Sequence, residues 1–69
     1  MKDFNRLKLV LVERKKTGKW LAEGMGRTPA TISKWCTNTS QPNLEELNTI
    51  AQLLDVEVTE LLVIPKHTN

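Results

Sequence analysis

Apolar residues recur along the chain at the three- and four-residue spacing of helices, and no stretch shows the alternation of a strand. Phe4, Leu7, Val10 and Leu11, with the stem of Arg14, share one face of a first predicted helix from about Asp3 to Lys16. Leu21, Ala22 and Met25 form the inner face of a second. Thr17 caps its start, and Gly26 ends it where positive φ is favoured. Thr28 caps a third helix, Pro29–Thr37, with Pro29 in the first turn, where a missing N–H costs nothing. Ile32, Trp35 and the margin of Cys36 face inward there, and Asn38 fits a left-handed stop. Residues 37–43 read as a polar loop.

Asn43 and Glu46 then have the spacing of a capping box for a fourth helix with the stripe Leu44, Leu47, Ile50, Ala51 and Leu54, ended by Asp55. A short fifth helix over Val58–Leu62 returns Leu61 and Leu62 to the core. The expected architecture is all-α, a compact five-helix domain over residues 1–64, followed by a flexible tail over 65–69 beginning at Pro65.

The 69 residues suffice for one small domain with a single core. An apolar share of 39% and a charged share of 26% are globular values. No apolar run suggests a membrane span, and no leader pattern opens the chain, so a cytoplasmic protein is expected. The lone Cys36 excludes an internal disulfide framework, and one Cys with one His makes a zinc site implausible. The net charge of +2 hides an asymmetry. Residues 1–38 carry nine Lys/Arg against three Asp/Glu, whereas residues 39–69 carry one Lys against five Asp/Glu. A basic face on the first half fits either a nucleic acid or solvated lysines.

Thr17–Asn38 holds the informative motif: two short helices joined by Met25-Gly26-Arg27-Thr28, the arrangement of a helix-turn-helix. From about Arg6 to Leu62 the chain resembles the lambda-repressor/Cro-like, XRE-type helix-turn-helix family. The residues that carry the resemblance are Leu21-Ala22, Met25-Gly26 and Thr28 through Trp35, then Pro42, Leu44-Glu45, Leu47, Ile50-Ala51 and Glu60-Leu61-Leu62. The resemblance implies a five-helix domain that binds duplex DNA, usually as a dimer on a palindromic operator, with its third helix in the major groove. Helical geometry agrees, because Ala30, Ser33, Lys34 and Thr37 share the face opposite Ile32 and Trp35. Lys34 has the length to reach a guanine edge or a phosphate. By family position Pro29 and Ala30 lie nearest the bases, where they offer only apolar contact.

The candidate DNA-binding set is Thr17, Lys19, Arg27, Thr28, Pro29, Ala30, Thr31, Ser33, Lys34, Thr37, Thr39 and Ser40. Thr31, Arg27 and the Thr39–Gln41 loop are phosphate candidates through side chains or N–H groups, and Arg14, Lys15, Lys16 and Lys19 form a basic cluster at the motif's entry. Three positions depart from the family pattern. Gly18 replaces the Gln that often contacts a phosphate, Lys16 replaces an apolar residue, and Trp20 replaces a polar one. Trp20 either packs over the Lys16 stem or joins a protein contact. Leu9 and Val12 point away from the first helix's core stripe, as scattered surface residues or as part of a partner patch. Family dimers often pair through the last helix, which favours Leu61–Ile64 for self-contact. Cys36 is expected to be a half-buried free thiol, and His67 has no plausible co-ligands.

These readings converge on a sequence-specific, double-stranded DNA-binding regulator, a repressor acting as a homodimer. The alternative is an antitoxin-like or adaptor module that binds a protein through Leu9, Val12 and Trp20. No nucleophile–base pair, metal cluster or phosphate-cradling glycine loop suggests an enzyme, and no cofactor is expected.

Overall fold

A computed structural model describes residues 3–63. Its elements are α1 (Leu7–Glu13), α2 (Gly18–Met25), α3 (Pro29–Cys36), α4 (Leu44–Leu54) and a 3-10 turn, Val58–Leu61. Among the described residues the only β pairing is a single antiparallel bridge between Asn5 and Leu62. The expected tail, with Ile64 and His67, lies outside the described residues.

One apolar cluster unites the elements. Leu7, Val10 and Leu11 of α1 meet Leu21 and Ala22 of α2, Ile32 and Trp35 of α3, and Leu47, Ile50, Ala51 and Leu54 of α4, with Leu61 closing the base. Trp20, Met25, Cys36 and Leu62 pack against it while remaining partly exposed. Fully burying a side chain such as Leu21 or Ile50 contributes about 1.5–3 kcal/mol, which is why a core this small still organises the chain.

Three expectations are corrected. The first helix spans Leu7–Glu13, not Asp3–Lys16. Residues 4–6 are instead drawn to the end of the chain: the Arg6 N–H donates to the Leu61 carbonyl at 2.8 Å and the Val63 N–H to the Phe4 carbonyl at 3.0 Å. That pairing takes Phe4 off the helical stripe, leaving it 55% exposed, while Asn5 is buried in its stead. Arg14 is the C-cap of α1 and stands in solvent rather than laying its stem on the core. Leu44, the first residue of α4, is 78% exposed, because the apolar stripe runs one turn past the packed elements. The fifth segment is a 3-10 turn rather than an α-helix. Leu62 leaves it in extended conformation to meet Asn5, so the segment ends after a single turn.

All four α-helices end in the same way. A residue in the left-handed region follows each: Lys15 (φ 58°), Gly26 (φ 67°), Asn38 (φ 61°) and Asp55 (φ 56°). The next residue's N–H reaches back five positions, from Lys16 to Leu11, Arg27 to Ala22, Thr39 to Lys34 and Val56 to Ala51, at 2.8–3.0 Å. These bonds satisfy carbonyls that the helices leave open and turn the chain at each helix end.

Candidate nucleic-acid interface

Local capping fixes the helix-turn-helix. The Thr17 hydroxyl accepts from the Trp20 N–H at 3.0 Å and opens α2. Gly26 turns the chain, and within two residues Thr28 opens α3, its hydroxyl accepting from the Thr31 N–H at 3.3 Å and lying 3.0 Å from the Thr31 hydroxyl. A Cβ built on Gly18 would lie 3.4 Å from Ile32 Cγ2, an ordinary contact distance, so the first turn of α2 sits against α3.

With Ile32 and Trp35 buried, α3 presents Pro29, Ala30, Ser33 and Lys34 to solvent, followed by Thr37 at its C-cap. Thr31 is half-buried at the margin. Thr17 and Lys19 at the head of α2, Arg27 and Thr28 in the turn, and Thr39 and Ser40 after α3 are also exposed. The surface is mostly small and uncharged, with cations around it, and so allows close approach to a groove with charge at its edges.

Several groups are already engaged. The Thr37 hydroxyl donates to the Ser33 carbonyl at 3.1 Å and lies 2.8 Å from the Thr39 hydroxyl. The N–H groups of Thr39 and Ser40 both donate to the Lys34 carbonyl, at 2.9 and 3.3 Å, and with the Thr39 hydroxyl turned to Thr37 the Ser40 hydroxyl is the donor left for a ligand. Arg27 is paired with Glu46, whose other carboxylate oxygen accepts from the Asn43 N–H at 2.8 Å. One carboxylate thus caps α4 and tethers the turn. A phosphate would have to draw Arg27, the exposed partner, from a carboxylate that is itself largely covered.

Lys16 Nζ lies 4.7 Å from the centroid of the half-buried Trp20 ring, as one of the two sequence readings anticipated. Leu9 (51% exposed) and Val12 (66% exposed) stand free on the outer side of α1. They line a shallow groove between α1 and α3 together with Lys8 and Cys36. Burial pushes the Cys36 thiol above its ordinary pKa, partly opposed by the nearby Lys8 ammonium, so the thiol stays protonated at neutral pH.

Sequence reasoning missed a polar knot behind α3. The Asn38 side-chain oxygen accepts from the N–H groups of Phe4 and Asn5 at 2.8 and 3.0 Å and from Gln41 Nε2 at 3.1 Å, and Asn38 Nδ2 donates to the Asn5 carbonyl at 3.2 Å. Asn5 Nδ2 donates to the Trp35 carbonyl and to Gln41 Oε1, at 3.0 and 2.6 Å, and Asn5 Oδ1 accepts from the Leu7 N–H at 3.0 Å. The bonds that join residues 4–5 to residues 35–41 span 30 to 36 positions in sequence, beyond any local pattern.

The family model of the Cro/C1-type HTH DNA-binding domain matches residues 6–67, nearly the whole chain. The chain belongs to this family. A crystal structure described as that of a "putative DNA-binding protein" from Bacteroides fragilis matches with a TM-score of 0.86 and 48% sequence identity, covering 87% of this chain and 97% of that one. No curated protein matches at a significant level. No Cro/C1-type helix among the described residues is long and apolar enough to cross a membrane.

Proposed function

We propose that this Cro/C1-type domain is a sequence-specific regulator that binds duplex DNA as a symmetric homodimer, with α3 in the major groove, and represses by occlusion. The carrying observation is the division of α3 into a buried side, Ile32 and Trp35, and a small polar side, Ala30, Ser33 and Lys34, with Thr37 at its end. Lys34 reads a guanine edge or a phosphate. Pro29 and Ala30 make apolar contact, for example with a thymine methyl. Thr17, Lys19, Arg27, Thr28, Thr31, Ser33, Thr37, Thr39 and Ser40 set the register on the sugar-phosphate backbone. With no polar side chain at position 18, Lys19 and the first N–H groups of α2 supply the phosphate contact there. Self-association runs through the Leu61–Ile64 segment, where Leu61 itself is buried in the core and Leu62 and Val63 expose apolar surface.

Selection from a randomised duplex library, followed by a salt series on the enriched site, tests this reading. The expected result is a palindrome with half-sites about one helical turn apart, roughly 34 Å, and affinity that falls as salt rises. Absence of duplex binding at low salt refutes it.

The exposure of Leu9 and Val12 beside a groove supports a second reading, an antitoxin-like or adaptor module that binds a protein there, with the uncovered edge of Trp20 adding to the contact. A stoichiometric partner that co-purifies and is lost with Val12→Glu or Trp20→Ala would favour it. Unchanged assembly in both variants would end it.

A further inference from the structure

The loop after α3 carries the Thr37, Thr39 and Ser40 hydroxyls and turns on Asn38, at φ 61°. Glycine is the usual occupant of such a turn and would satisfy its backbone, so the turn alone does not call for an amide. The Asn38 amide is spent inward instead. Its oxygen gathers the Phe4 and Asn5 N–H groups and the Gln41 amide, and its nitrogen returns a bond to the Asn5 carbonyl. Asn5 completes the clasp by donating to Gln41 and to the Trp35 carbonyl at the end of α3. With 4% exposure, Asn5 has no access to a ligand. The clasp therefore acts on the DNA-facing side through the loop and the last turn of α3 that it holds.

We infer that Asn38 and Asn5 are positioning residues for DNA-backbone contact: their mutual clasp holds the 37–40 loop at the height and angle where its exposed Ser40 hydroxyl meets a phosphate. The inference rests on the DNA reading above and adds to it a pair of side chains outside the contact surface. The two amides fix the loop against the extended segment 4–6, a part of the chain far from the helix-turn-helix in sequence. Loss of the Asn38 amide keeps the burial of Ile32 and Trp35 that seats α3, so it weakens backbone contact without changing which bases are preferred.

Asn38→Gly is the direct test, because glycine keeps the left-handed turn and removes only the amide. Gln41→Ala, at an exposed position, is the milder second variant should Asn38→Gly fold poorly. Leu54→Val, in the core of α4, serves as a control for general destabilisation. Binding to the duplex selected by the wild-type chain is measured over a salt series, and amide hydrogen exchange at Thr39 and Ser40 is measured without DNA. For Asn38→Gly the expected results are an affinity loss of about tenfold, a salt slope shallower by about one phosphate contact, the same selected site, and faster exchange at both amides. Leu54→Val should keep the wild-type slope. A wild-type slope in both Asn38→Gly and Gln41→Ala overturns the inference and leaves the DNA reading standing, as does unchanged exchange. If the wild-type chain selects no duplex, the DNA reading fails and this inference fails with it.

Discussion

Trp35 packs within the core from the inner side of α3, among residues of all four α-helices and the 3-10 turn. Truncating it leaves a cavity that short helices cannot fully close, so Trp35→Ala should cost about 3–5 kcal/mol in urea unfolding. Lys34, its neighbour in sequence, faces solvent. Lys34→Ala should leave unfolding within about 0.5 kcal/mol of wild type and weaken duplex binding, measured by anisotropy. Cys36 adds a chemical test. Because burial raises its pKa, the thiolate that attacks an alkylating agent is scarcer than in a free cysteine. Iodoacetamide at neutral pH should therefore label Cys36 more slowly in the folded chain than in the chain unfolded by urea, and the rate should climb as pH rises beyond the ordinary thiol range. At this scale helical periodicity located Ile32, Trp35 and the exposed Lys34 well. It failed at Phe4 and Leu44, where a residue lies on the right face of the wheel but beyond the end of the packing it was expected to join. It also had no means to find Asn5, whose burial depends on partners distant in sequence.

Helix boundaries here depend on single residues more than on periodicity. Thr17, Thr28 and Asn43 are caps, and Gly26, Asn38 and Asp55 are left-handed stops; all of these were legible in the sequence, because few residue types serve those roles. Lys15 was not, since lysine has no preference for positive φ. Its place in a left-handed stop therefore marks a site of residual strain. Lys15→Gly should raise stability by about 0.5–1 kcal/mol, read as a higher urea midpoint with unchanged slope. Glu46 makes the opposite case. It completes the α4 cap and holds Arg27, so Glu46→Ala removes two contacts at once and should cost about 1–2 kcal/mol. The same change releases Arg27, and a stronger salt dependence of DNA binding in Glu46→Ala would show that the freed guanidinium moves onto a phosphate.

Across the whole molecule, the asymmetry of charge was visible from composition, and the basic first half contains the exposed side of α3. The family resemblance and the all-helical architecture were visible as well, although the sequence pointed to five helices where the described residues form four and a 3-10 turn. The route by which residues 4–6 and 61–63 meet was not, because one antiparallel bridge and two flanking hydrogen bonds leave no periodic trace. That meeting has a kinetic consequence. α2 and α3 adjoin in sequence and can associate over a short span, whereas Arg6 and the Glu60 carbonyl, 3.3 Å apart, are separated by 54 positions. Closing so long a span is entropically costly, which favours its formation after the rate-limiting barrier has been crossed. Disruption there should act on escape from the native basin rather than on entry to it. In stopped-flow experiments Arg6→Ala, which removes the guanidinium bond to the Glu60 carbonyl, should steepen the loss of native protein by raising the unfolding rate while the refolding rate stays near wild type, whereas Ile32→Val should slow refolding. The seam between the two ends of the described chain would then act as a latch that sets the lifetime of the folded state.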